Sequence, residues 1–546
     1  MKSVVLFFLL LVANGSFAQL WLVDPLQAIY PDVNDLSHFR PKLKQDVVIG
    51  GLADVHLLLK IPIGETFTVT ASKNGEALEG VWSELIDVPV EQNTGIDSRT
   101  EQYLNKTNPF VIRRAPFQIF EVISPLSHRV LTSKSTFSAL RLALPPSMIS
   151  EKGIHKIDIQ VRSKSVQGTA RFKIKVHPVV LPTLADSQFF YTNWFNLNQM
   201  EKQHDLIRWS EPWFTMLRKY AKLMAHGRQN SITIPHELLK YDHGNFVIED
   251  AKMKRYIHIF KSEGFKYFEA PHLMYRGDND DWSDPELKVI LTKKGYYSEN
   301  GKNDIEAIIS VIYDFVKSNH LEKNWLQHIA DEPTSNNAAC YKDVAEQIKS
   351  LFPEVRIMEA TNDRDGLVGA IDIWCPLIND FQDNESFFRE REKQNEKVLV
   401  YTCLIPGGQW LNRTLDMERL RQVYFGWGAA FYNTGGYLHW GLNQYQSDPF
   451  TQSVVHHPSP AATANNFLPA GDTHIIYPGT NGPLSSIRFE AHRMGCEDYD
   501  LLQLLKQKQS HNYDKIIKKL FKSYTDYNLS IADYRRTKKK LINSIK

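Results

Sequence analysis

The hydrophobic rhythm of the chain changes once, near residue 182, and that change restricts the fold more than any other feature. Before it the pattern has a period of two. Ile157, Ile159 and Val161 alternate with Asp158 and Gln160, and Ala170, Phe172, Ile174 and Val176 alternate with Arg171, Lys173 and Lys175. Such alternation buries one face of a strand and wets the other. Earlier stretches at 55–63, 67–71 and 117–123 share this character, and Gly, Pro and Asn separate them. The pattern predicts an N-terminal antiparallel β-sandwich over residues 19–182. His177-Pro178-Val179-Val180-Leu181-Pro182 interrupts the alternation and reads as a linker.

After Leu184 strand-like runs alternate with amphipathic helical ones. Strands are expected at 188–194, 231–235, 266–270, 325–330, 355–359, 371–375, 398–402 and 436–440, with helical stretches such as 213–225, 304–317, 337–351 and 417–430 between them. Eight β-then-α units predict a (β/α)8 TIM-like barrel over 183–485. A doubly wound sheet is the alternative, but the phosphate-binding G-x-G-x-x-G that usually follows its first strand is missing. Residues 486–546 read as a C-terminal helical segment packing on the barrel. Its basic residues Arg535, Arg536 and Lys538 to Lys540 read as a solvated helix face.

Met1 and Lys2 precede an apolar run from Val4 to Ala13, and Ser16-Phe17-Ala18 then places small residues where a signal peptidase reads. This predicts a signal peptide over 1–18, cleavage after Ala18, and a periplasmic or secreted mature chain. The run is too short to span a bilayer, and no later stretch is apolar enough for membrane insertion. With 64 basic and 62 acidic side chains among 546 residues, charge gives no reason to expect nucleic acid as a partner. The four cysteines, Cys340, Cys375, Cys403 and Cys496, lack zinc-site spacing and read as mostly buried thiols, with one disulfide left open.

The segment richest in chemistry is Trp325-Leu326-Gln327-His328-Ile329-Ala330-Asp331-Glu332-Pro333. An apolar strand ends in two adjacent carboxylates, at the end of a barrel strand where active sites form. Two carboxyl groups in proximity push their pKa values apart, so one stays ionised while the other holds a proton near neutral pH. That division of labour cleaves an acetal, with one group protonating the leaving oxygen and the other steadying positive charge. The plainer reading makes Asp331 a cap for the following helix. Many barrel glycosidases carry a carboxylate nucleophile after strand seven. Here that position runs Tyr401-Thr402-Cys403-Leu404-Ile405-Pro406, and no acid follows until Asp416. One alternative is a nucleophile supplied by the substrate, the amide oxygen of a 2-acetamido sugar, whose intramolecular attack has a high effective molarity.

The segment from His328 to Pro333, the β-rich region before it, and Arg493-Met494-Gly495-Cys496-Glu497-Asp498-Tyr499 together resemble glycoside hydrolase family 123, over roughly residues 40 to 505. That family is known for β-N-acetylgalactosaminidases built as a β-sandwich followed by a (β/α)8 barrel. The resemblance implies Glu332 as general acid/base, Asp331 as the group orienting the acetamido function and stabilising an oxazolinium-like intermediate, and retention of configuration. Family-20 hexosaminidases use a similar Asp-Glu pair with a histidine four residues before the aspartate. Gln327 stands there in this chain, with His328 one place later.

Other strand-end residues are candidates to shape a sugar pocket: Asn193 and Trp194, His272 and Tyr275, Glu359, Trp374, Tyr401, and His439, Trp440 and Asn443. Trp440, Tyr401 and Asn193 rank highest, and Glu359 is a rival nucleophile. Core packing is the competing reading for each. His456 and His457 read as ordinary loop residues, and no metal or cofactor is expected. The leading expectation is a retaining hydrolase releasing terminal β-linked N-acetylgalactosamine from a glycan by substrate assistance. The alternatives are a two-carboxylate glycosidase on sugars without an acetamido group and a non-catalytic glycan-binding protein.

Overall fold

The computed structural model describes residues 20–277, 281–361, 363–459, 462–508 and 510–546, so the expected signal peptide lies outside the described residues. The period-two region forms two facing sheets, one of them completed by two strands at 477–486 that the sequence pattern assigns to the end of the barrel. One has seven strands in the order Leu20–Val23, Ala53–Leu59, Ser138–Leu144, Val81–Val90, Phe117–Pro125, Gly482–Ser486 and Tyr477–Gly479. The other orders Lys42–Ile49, Gln167–Val180, Gly153–Ser163, Thr66–Lys73 and Glu76–Ala77, with Val130–Thr132 paired to Thr66–Lys73. The alternating apolar residues meet between the sheets: Leu57, Leu140 and Leu142 pack with Val69, Ile157, Ile159, Phe172 and Ile174. Two further expectations change here. The seven-stranded sheet is antiparallel throughout, but the other is mixed, because Gln167–Val180 pairs parallel with Lys42–Ile49. The expected linker is strand as far as Val180, since a bulge between His177 and Val180 lets Pro178 sit in the ladder without donating an N–H.

Beyond residue 184 every expected strand is present. We number them β1 (Phe190–Asn193), β2 (Ser231–Thr233), β3 (Tyr267–Glu269), β4 (Trp325–Gln327), β5 (Arg356–Ala360), β6 (Ile373–Cys375), β7 (Lys397–Val398 and Val400–Tyr401) and β8 (Gly436–His439). All their pairings are parallel: β2 through β6 pair in chain order, β6 pairs with β7, β7 with β8 and β8 with β1. Between β1 and β2, the Asn230 amide donates to Tyr191 O at 3.1 Å. Helices separate most of the strands, among them Glu211–His226, Asp250–Ser262, Glu299–Ser318, Ala338–Leu351 and Leu420–Tyr432. One strand face contributes Phe190, Leu326, Met358, Ala360, Ile373, Cys375, Leu399, Tyr401 and Leu438 to a shared apolar cluster. The opposite face, including Tyr191, Ile357, Trp374 and Tyr437, packs with the helices.

The helix Ile487–Lys508 locks these parts together, and most of the Arg493–Tyr499 segment serves this purpose. Gly495 lies so close to helix Leu420–Tyr432 that a Cβ at Gly426 would stand 2.0 Å from Gly495 O. The Trp427 indole and the Tyr534 hydroxyl both donate to Asp498, which Lys538 also meets. The basic tail is therefore only partly solvated: Arg535 forms a two-pronged ion pair with Asp24 of the N-terminal region. The four cysteines are free thiols. No described helix is long and apolar enough to cross a membrane.

A buried charge centre joins the sandwich to the parallel-strand region. Glu121 accepts from Arg488 at 2.6 Å and from Arg419 at 3.2 Å, all three shielded from solvent. Arg488 also donates to the carbonyls of Arg413, Gly471 and His474. Neutralising Glu121 leaves two guanidinium groups without their counter-charge, at a cost of about 3–5 kcal/mol. Glu121→Gln is therefore expected to lower the melting temperature of the whole chain in one transition. Separate melting of the sandwich in the wild type would contradict this coupling.

Candidate active site

Asp331 and Glu332 lie four and five residues past the end of β4, in a bend. Neighbouring side chains on a strand point to opposite faces, so a regular continuation would separate the two acids. Glu332 instead takes the left-handed conformation, with φ 46°. For a residue with a Cβ this costs about 1–2 kcal/mol. The turn brings both carboxylates to one cavity of about 200 Å³.

The bend is held on both sides. Before it, the amides of Ile329 and Ala330 donate to Glu359 at 2.9 and 3.2 Å. After it, Arg276 donates to Asp331 O at 2.6 Å and Glu332 O at 3.1 Å, while its guanidinium lies 4.0 Å from the centre of the Trp282 ring. Thus the helix-cap reading of Asp331 does not describe the geometry: the carboxylate opens on the cavity, and Asn337 stands at the cap position of the next helix.

Trp194, Tyr401 and Trp440 form the cavity's aromatic wall, and Cys403, His457 and Leu468 complete another side. The Tyr401 hydroxyl hydrogen-bonds Glu332 Oε1. Partial dehydration by the pocket walls raises the pKa of Asp331, although the side chain keeps surface open to the cavity; His272 acts in the opposite direction. Burial, followed by the charge of Glu332, pushes the Tyr401 hydroxyl well above its ordinary pKa, so it remains a donor. Trp194 also borders a second cavity of about 480 Å³ over the ends of β1, β2 and β3, where His272, His236 and Gln444 contribute.

Beneath Trp194 runs a chain of buried charges. His328 places Nδ1 3.0 Å from Glu359 and Nε2 3.3 Å from Glu269. Glu269 also accepts from the Trp194 indole at 3.2 Å and from Ser231. Burial lowers the His328 pKa, but the two carboxylates outweigh it and raise it to about 10. Burial raises Glu359, but His328 and His272 outweigh it and bring it down to about 2. His328 is therefore charged at neutral pH, donating from both nitrogens. His272, His328 and Glu359 offer three ligand-type atoms within 4.8 Å of one another. Their contacts are accounted for as imidazole N–H to carboxylate hydrogen bonds, and we assign no ion to them.

Several expected pocket residues lie elsewhere, and strand parity explains it. Asn193, Glu359, Trp374 and His439 each follow or precede an inward-facing neighbour, so they turn toward the helices. Asn193 is fully buried and donates to the Tyr191 hydroxyl while accepting from Arg413. Trp374 packs on Phe387 and Phe388 and donates to Glu396. His439 is buried and accepts from the Gly441 amide. Asn443 staples the loop after β8 to Asn196 by two hydrogen bonds. Tyr275 belongs to a two-stranded ladder with Lys288–Val289, beneath Lys293. His272 reaches the charge chain and the larger cavity.

Glu269 is not among the residues expected from the sequence, although it carries the same signal as Asp331, a carboxylate ending an apolar strand. His457 carried no local signal; its place in the wall depends on a long connection after β8.

An acid pair at the C-terminal ends of parallel strands, faced by aromatic side chains, is an arrangement that suits glycosidic bond cleavage. A family description of the glycoside hydrolase 123 catalytic domain matches residues 194–505, more than half of the chain. The chain belongs to glycoside hydrolase family 123. A family 123 glycoside hydrolase from Clostridium perfringens, whose structure was analysed for the details of glycolipid glycan hydrolysis, shares the fold at TM-score 0.72, with 14% identity over 97% of each chain. An endo-β-1,4-mannanase from Thermotoga petrophila aligns at TM-score 0.36, with 14% identity over 58% of this chain and 78% of that one. A β-glucuronidase from Parabacteroides merdae aligns at 0.31, with 8% identity over 79% and 48%. Comparison with curated protein sequences finds no match.

Proposed function

We propose that this glycoside hydrolase removes terminal β-linked N-acetylgalactosamine from glycans with retention, using the substrate's acetamido group as nucleophile, and that its eight parallel strands close as a (β/α)8 barrel. One observation carries the mechanism: the only carboxylates lining the cavity, among the described residues, are the neighbours Asp331 and Glu332. Two acids this close leave no span across a sugar ring for a separate protein nucleophile, whereas they suit one proton transfer beside one charge stabilisation.

Glu332, held by the Tyr401 hydroxyl, protonates the leaving glycosidic oxygen. The acetamido oxygen attacks the anomeric carbon as that bond breaks, giving a bicyclic oxazolinium ion. Asp331 accepts the amide N–H and offsets its positive charge. Water then attacks the anomeric carbon from the opened face, and Glu332 takes its proton. Trp440 and Trp194 supply flat apolar faces for the sugar ring. The Clostridium perfringens relative acts on glycolipid glycans, and that class is the one we would test first.

A screen of nitrophenyl β-glycosides separates the readings. The β-N-acetylgalactosaminide is expected to exceed the matched β-galactoside by at least about 10³-fold in kcat/KM, because only the former carries its own nucleophile. Equal or better turnover of the galactoside would favour a protein nucleophile, and a glycan bound but never cleaved would favour a binding protein. We also propose export with cleavage after Ala18. N-terminal sequencing of the protein recovered outside the cytoplasm is expected to begin at Gln19, and an intact Met1 there would contradict it.

A further inference from the structure

Glu359 accepts five hydrogen bonds, and two of them come from the segment that leads into the acid pair. Its Oε2 takes the Ile329 and Ala330 amides at 2.9 and 3.2 Å and the Tyr341 hydroxyl at 3.1 Å. Its Oε1 faces His272 Nε2 at 3.1 Å and His328 Nδ1 at 3.0 Å. A carboxylate has about four lone-pair sites, all acceptors. Five donors saturate them, and no solvent-accessible surface remains. Such a group cannot act as a nucleophile, but it can fix a backbone.

Ile329 and Ala330 are the two residues before Asp331. With their amides tied to β5 and the Asp331 and Glu332 carbonyls tied to Arg276, the strained left-handed turn has little freedom left. We propose that Glu359 is a positioning residue, which holds the Asp331–Glu332 turn through these two amides and keeps His328 and His272 aimed beneath it. The inference rests on the reading of Asp331 and Glu332 as the acting pair, but not on the identity of the sugar.

The charged and titratable groups around it come from several elements. They are Glu269 on β3, His272 and Arg276 on the loop beyond, His328 and Asp331 after β4, Tyr341 on helix Ala338–Leu351, and Cys375 on β6. Only an acceptor on both oxygens suits this set. A glutamine at 359 has the right shape, yet its amide nitrogen must face either the Ile329 and Ala330 N–H groups or the two imidazoles.

Glu359→Gln is therefore expected to lower kcat by about 10²-fold, the size of effect that a displacement of about 1 Å can produce, with KM changed by less than about threefold. Two further readouts distinguish positioning from other roles. In 15N spectra of the whole protein, His328 should be doubly protonated at pH 8 in the wild type and should lose its second proton at lower pH in Glu359→Gln, where Glu269 alone still faces it. With azide, Glu359→Ala should form no glycosyl azide on any β-glycoside that the wild type cleaves. A Glu359→Gln enzyme with wild-type kcat, an unchanged His328 signal, or accumulation of a glycosyl azide would each overturn the proposal. Should both replacements fail to fold, Tyr341→Phe removes one donor and is expected to lower kcat several-fold at unchanged KM; wild-type kcat there would also overturn it. The His328 signal is independent of substrate, so an error in the sugar assignment would leave this result standing.

Discussion

Glu332→Gln is expected to lose about 10²–10⁴-fold in kcat/KM on glycans and alkyl glycosides, where the leaving oxygen must be protonated as it departs. The loss should shrink to a small factor on a dinitrophenyl glycoside, whose leaving group departs as a stable anion. The replacement is isosteric, so the hydrogen bond to the Tyr401 hydroxyl can persist and the turn at φ 46° need not change. A plot of log kcat/KM against leaving-group pKa should be steeper in the variant than in the wild type. Equal losses on both kinds of substrate would remove Glu332 from the acid role.

Asp331→Asn is expected to fail in the complementary way. Its role in the proposed mechanism is electrostatic, offsetting charge on the acetamido nitrogen, and removing one such preorganised group costs on the order of 10²–10³-fold. That loss should persist with the dinitrophenyl leaving group, because the oxazolinium ion forms whatever departs. The pH profile adds a sign. Dehydration holds the Asp331 pKa above the ordinary carboxylate value of about 3.9, so the ionised form is lost as pH falls through the raised value. The acidic limb of the wild-type kcat/KM profile should lie above about pH 4 and should disappear in Asp331→Asn. An acidic limb unchanged by the replacement would assign it to another group.

Much of this was legible in the sequence because it depends on periodicity. The eight strands after residue 184 stand in the expected order, since each short apolar run needs two buried faces and each amphipathic run one. The place of the acid pair at the end of an apolar strand was legible, whereas the turn that brings both side chains to one cavity was not. Strand parity carries further information: Leu399 and Tyr401 share one face of β7, and by the same count Asn193, Trp374 and His439 turn toward the helices. Other features have no local signature. The bulge that keeps Pro178 in a strand depends on the partner Lys42–Ile49. The positive φ at Glu332 lies in a turn whose backbone meets Glu359 from β5 and Arg276 from the loop after β3, partners far away in sequence. Lone basic residues such as Arg488 look solvated until Glu121, hundreds of positions away, is placed beside them.

In the proposed mechanism the nucleophile comes from the sugar. The most direct test measures kcat/KM for aryl β-galactosaminides bearing acetyl, fluoroacetyl, difluoroacetyl and trifluoroacetyl groups on nitrogen. Fluorine withdraws electrons from the amide oxygen, so the rate should fall steeply and monotonically along the series. A flat series, with the trifluoroacetyl sugar cleaved as fast as the acetyl one, would show that the amide does not attack and that the nucleophile must be sought on the protein.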